Sequence, residues 1–167
     1  MKNRVSFSTI CGHEAAHGVM RWLRGLPATE LTASKRGGLC AGTGQMVRCE
    51  DLILILLAGF AWESGFGLIS VDFIKGLCAD FDEARQILDE CYIWRSVVVV
   101  DGKPTLASVD ESLRFRFDFV CDLLSEHDVF IEDLAEELEN CGRLSAQRVE
   151  EIIQAHFRHL IFRTSCK

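Results

Sequence analysis

Apolar residues recur at helical spacing along most of the chain, and the period breaks in only two short stretches. The spacing predicts helices over residues 4–24, 50–66, about 80–97, 105–126, 130–140 and 146–162. The first carries Ile10, Ala15, Val19, Trp22 and Leu23, can start at Ser8 or Thr9, and stops at Gly25 and Pro27. The second, Glu50 to Phe66, is apolar nearly all round, which predicts burial on most faces; Gly65-Phe66-Gly67 ends it. Leu113, Phe117, Val120 and Leu124 mark the fourth. Gly142 and the capping residue Ser145 introduce the last, with Val149, Ile152, Ile153 and Phe157 on one face.

From Glu30 the pattern shortens. Leu31 to Ser34 reads as a strand, Lys35-Arg36-Gly37-Gly38 as a turn, and Ala41 to Val47 as a second strand. Two uses of such a hairpin stand open: a cover over the core, or an edge that holds an extended peptide by main-chain hydrogen bonds. Residues 68–79 read as a loop or broken helix. Val97 to Val100, followed by Asp101-Gly102-Lys103-Pro104, reads as a helix end leading into a linker. The expected fold is mainly α, one domain over residues 1–167, with a small hairpin or short sheet after the first helix.

Composition narrows the partners. The chain has 167 residues, a formal net charge of −7 and 49% hydrophobic residues. That suffices for one buried core, and an acidic surface without a basic stripe repels nucleic acid. The most apolar run, Leu52 to Trp62, falls short of the roughly 20 residues a membrane span needs. Eight cysteines are scattered without a C-x-x-C pair, and residues 1–10 hold no apolar signal segment. Reduced thiols and a cytoplasmic location are the expectation.

The chemistry sits in the first helix, at Cys11-Gly12-His13-Glu14-Ala15-Ala16-His17-Gly18. Residues i and i+4 share a helix face, so His13 and His17 can offer two imidazole nitrogens to one metal. Glu14 is the candidate general base for an activated water. Asp80 has two readings. It precedes a helical run with Glu83 three positions on, which makes a capping box, and the resemblance described below implies a second role. Glu63 ends a very apolar helix and so wants a partner. His156 and His159, with no acid or cysteine beside them in sequence, read as surface residues.

Several blocks together resemble the peptidase domain of the FtsH-type ATP-dependent metalloproteases. Cys11 to Leu26 is similar to that family's H-E-A-G-H-A-V-V segment, and Thr29 to Thr43 to its strand and glycine turn. Leu57-Ala58-Gly59-Phe60-Ala61-Trp62-Glu63 resembles its L-A-G-R-A-A-E helix. Gly76 to Ala84 resembles its G-A-S-N-D-L-x-x-A segment, and Val129 to Ile153 its closing helices. Ala16 stands where the family has glycine and Phe60 where it has arginine.

The resemblance implies zinc held by His13, His17 and Asp80, with Glu14 as base, and hydrolysis of peptide bonds in peptides or unfolded proteins. It also implies hexameric assembly. The sequence contains no Walker A loop, so any ATPase would be a separate partner. Glu63 is the first alternative to Asp80 as third ligand, although a role orienting a ligand histidine is the preferred reading of it. Asp82 and Cys78 are lesser contenders. A catalytically silent assembly module with the same fold is the alternative function.

Overall fold

Ser6 fixes where the first helix begins. Its backbone is extended and its hydroxyl accepts the Thr9 N–H at 3.0 Å, which caps α1, Phe7–Leu23. The start therefore lies at Ser6 rather than at Ser8 or Thr9. At the other end Gly25 adopts φ +69°. The Gly25 N–H bonds to the Trp22 carbonyl and the Leu26 N–H to that of Arg21, the six-to-one closure that a left-handed glycine permits.

The computed structural model describes residues 6–27, 29–42, 47–66, 79–91 and 95–164, with side chains up to residue 157. It is mainly helical, with 66% of residues in helix and a small antiparallel sheet after the first helix. Among the described residues no helix is long and apolar enough to cross a membrane. The chain forms two compact units, one from residues 1–45 and 127–167 and one from residues 46–126.

In the first unit, α1 packs against α5, Asp128–Cys141, and both lie beside a three-stranded sheet. Ala15, Ala16, Val19 and Met20 of α1 and Phe130, Ile131, Leu134 and Leu138 of α5 are fully buried. The sheet order is β2-β1-β5, from β1 Glu30–Ser34, β2 Gly37–Ala41 and β5 Arg143–Leu144. Leu31 pairs with Cys40 on one side and Leu144 on the other. Gly142, at φ +70°, ends α5 and lets the chain turn directly into β5. Ser145 then caps α6, Ala146–Thr164, by accepting the Arg148 N–H at 3.2 Å.

Two expectations change here. The second strand starts at Gly37, not Ala41, because Lys35 and Arg36 alone make the turn. Gly37 has φ +143°, open only to glycine at low cost, and the Ser34 hydroxyl ties the turn by bonding Arg36 N–H and Gly37 O. Of the expected strand beyond Gly42, residues 43–46 lie outside the described residues, and Val47 is not in a strand. The second change is positional. β1 is paired on both sides, so the strand Leu31–Ser34 is no edge for a peptide; that edge belongs to β2.

In the second unit, α2, Cys49–Glu63, packs against α3, Ala79–Glu90, and α4, Val109–Ser125. Phe60 is the hub, its ring 5.6 Å from that of Phe81 and 5.0 Å from that of Phe117. The expected loop over 68–79 lies outside the described residues, apart from Ala79, which opens α3. The valine run is not a helix end. It forms β3, Val97–Val100, paired antiparallel with β4, Lys103–Leu106. Asp101 and Gly102 both take positive φ, the two-residue turn that suits a twisted hairpin. Thr105 and Leu106, expected to be helical, are therefore in β4.

A capping box opens α4. The Ser108 hydroxyl accepts the Glu111 N–H, and the Glu111 carboxylate accepts the Ser108 N–H at 2.8 Å. These hydrogen bonds from Ser108 hold the Glu111 carboxyl below its ordinary value. A depressed carboxyl pKa stabilises the fold above the unfolded value, and that stabilisation is lost as pH falls through the folded one. Ser108→Ala is accordingly expected to lower the melting temperature by about 3 °C at neutral pH. The gap between variant and parent should narrow in melts recorded below about pH 4.5.

Candidate functional site

Two turns of α1 carry the chemistry of the first unit. His13 and His17 lie on one face, and their Nε2 atoms stand 2.9 Å apart with the rings nearly perpendicular. His17 is 6% exposed, whereas His13 is half-buried. Ala15 and Ala16 between them carry no bulk and are fully buried.

Glu14 is 7% exposed and lies beneath β2. A Cβ added at Gly38 would stand 2.6 Å from Glu14 Oε1 and 2.7 Å from Cδ, so the glycine leaves the space the carboxylate fills. Gly38 has no left-handed backbone, and its lack of a side chain is a matter of room alone. Two residues along β2, Cys40 faces the same ground. Burial pushes its thiol up to about 12, with Arg21 drawing it down and Glu14 raising it further. Two residues further, a Cβ on Gly42 would meet both Nη atoms of Arg21 at 3.3 Å. Gly38, Cys40 and Gly42 thus run over Glu14 and Arg21 in turn.

The periodicity of the sequence did not single out this line. Arg21 lies seven residues from Glu14, two turns on and hence on nearly the same face, and that spacing was the available signal. Cys11, two positions before His13, is a buried thiol; burial, then Glu139 and Glu14, push it up to about 11. It is a packing residue rather than a nucleophile.

The other candidates belong to the second unit or to α6. Asp80 is half-buried and lies within the first turn of α3, one residue past its start, so it is not the cap that its capping-box pattern suggested. Glu63 is the last residue of α2 and is exposed. Asp82 is exposed on α3, and Cys78 lies outside the described residues. His156 is not a simple surface residue. Its ring stacks on Phe130 with centroids 4.8 Å apart, and its Nδ1 is 3.9 Å from Asp133 Oδ2. The side chain of His159 lies outside the described residues.

The donor set of α1 suits zinc. Zn–N bonds of about 2.05 Å in a tetrahedral site put two ligand nitrogens roughly 3.3 Å apart. The observed 2.9 Å needs only a few tenths of an ångström of ring movement on a helix already presenting both Nε2 atoms the same way.

No protein-family model matches the chain, and no curated protein matches it either. The chemistry of the site is therefore argued from its own residues.

Proposed function

We propose that this chain is a zinc-dependent metallopeptidase acting on peptides and unfolded protein segments, with Glu14 as general base and His13, His17 and Asp80 as metal ligands. One observation carries the reading: the Nε2 atoms of His13 and His17 converge at 2.9 Å, one residue from a buried glutamate beneath an open strand edge. Two histidines alone make a poor binding site, and a third, anionic ligand with one place left open is the usual form of a hydrolytic zinc centre. Asp80, acidic and half-buried, is the residue we assign to that third place.

When bound, zinc supplies Lewis acidity, lowering the pKa of a water from about 15.7 towards about 7 and polarising a carbonyl. The protein's own part follows from Glu14. Its carboxylate takes the proton of the attacking water and returns it to the leaving amine. The edge of β2 that is unpaired among the described residues adds main-chain hydrogen bonds to an extended substrate and sets it alongside Glu14. The FtsH-like blocks of the sequence support the same reading, and with it a ring-forming homo-oligomer and an ATPase that works with it; the scattered cysteines without a C-x-x-C pair support a cytoplasmic location.

Zinc analysis tests the site. The purified chain is expected to carry about one zinc, and His17→Ala to lose most of it. Equal zinc in the two proteins would remove the assignment.

Asp80 and Glu63 are separated by affinity and stability measured together. Asp80→Ala should weaken zinc binding strongly while the melting temperature of the chelated protein barely changes, and Glu63→Ala should do neither. If Asp80→Ala binds zinc as tightly as the parent, the third ligand lies elsewhere, with Glu63 the next to test.

A further inference from the structure

We propose that Arg21 is a carboxylate-binding subsite, taking an acidic side chain or a free carboxyl end of an extended peptide laid along β2. The proposal rests on the reading of Glu14 as hydrolytic base and adds a substrate preference to it.

Arg21 is 6% exposed, and its Nε has no hydrogen-bond partner. Among the described residues no carboxylate pairs with its guanidinium. The rest of this unit, residues 1–5, 28, 43–45 and 165–167 and the side chains of 158–164, includes no aspartate or glutamate. A buried cation without a counter-charge is strongly destabilising, so an anion brought from outside is the natural complement. The planar fork suits a carboxylate, which it can bind through two parallel N–H groups. Gly42 leaves room beside the guanidinium, since a Cβ there would stand 3.3 Å from both Nη atoms.

Two rulers place the subsite relative to Glu14. Along α1, seven residues at 1.5 Å each separate Glu14 from Arg21 by roughly 10.5 Å. Along β2, Gly38 and Gly42 are four residues apart, roughly 13 Å. An extended peptide advances about 3.3 Å per residue, so the favoured carboxylate lies roughly three or four residues from the bond that Glu14 attends.

Binding to Glu14→Gln separates this proposal from the hydrolytic one, because no turnover is needed to read it. Fluorescein-labelled extended dodecapeptides carrying one Glu, or Gln at the same position, each with a free or an amidated end, are titrated by anisotropy. A carboxylate should tighten binding about thirtyfold, and adding Arg21→Met should abolish the difference. A preference that follows the Glu position identifies a side chain as the ligand; one that follows the unamidated end identifies the chain terminus.

Equal binding of all four peptides, or a preference that survives Arg21→Met, overturns the subsite. If the native chain hydrolyses nothing yet the Arg21-dependent preference persists, the subsite stands and the peptidase reading falls. Stability supplies a second arm. Without peptide, Arg21→Met should melt at or above the parent temperature, because an unpaired charge has been removed. A marked fall would give the guanidinium an internal partner and overturn the proposal.

Discussion

Glu14→Gln is expected to keep its zinc and its melting temperature while hydrolysis of an unfolded substrate such as casein falls at least about a thousandfold. The amide has the shape of the carboxylate, so the space under Gly38 stays filled and β2 stays in place. It cannot take a proton from water, and that is the whole of the difference. The outcome is read from zinc content, a thermal melt and casein digestion on the same preparation. Retained digestion at full zinc would show that Glu14 is not the base. Lost zinc would show instead that Glu14 is a ligand.

Gly38→Val is expected to have the second largest effect, and it leaves every reacting group chemically intact. Valine favours a strand and Gly38 is exposed, so β2 should form as before. Its Cβ, however, would stand 2.6 Å from Glu14 Oε1, well inside contact distance. The carboxylate must swing away, and a displacement of about 1 Å costs on the order of a hundredfold in rate. Zinc binding through His13 and His17 should persist. Casein digestion within a fewfold of the parent would mean that the carboxylate and β2 are not related as described.

How far the sequence could be read depends on whether an element is defined by itself or by its neighbours. The long helices were legible because each carries its own apolar stripe: Leu113, Phe117, Val120 and Leu124 alone predict the buried face of α4. β5 was not legible. Two residues, Arg143 and Leu144, have no periodicity, and they are a strand only because β1 lies alongside. The valine run was misread because four like residues show no alternation, although Asp101-Gly102 is a strong hairpin signal. The same distinction holds at the site. His13 and His17 meet through helix geometry alone, so their spacing sufficed. Gly38 over Glu14 and Gly42 over Arg21 arise from a strand folding back across α1, which local pattern does not encode.

The pairing of Leu31 with Leu144 also sets an order of assembly. The unit that holds His13, Glu14 and His17 is stitched from two segments far apart in sequence, residues 1–45 and 127–167, while residues 46–126 make a unit that is continuous in sequence. During synthesis the continuous unit has all of its residues well before the split one does, and domains generally fold as units as they emerge. β1 must wait for β5, and α1 for α5, across a loop whose closure is slow and entropically costly. The histidine pair consequently reaches its folded setting only after residues 127–144 have emerged. A chain stopped before residue 127 would present α1 with its apolar face uncovered, a state with the character of an aggregation-prone intermediate.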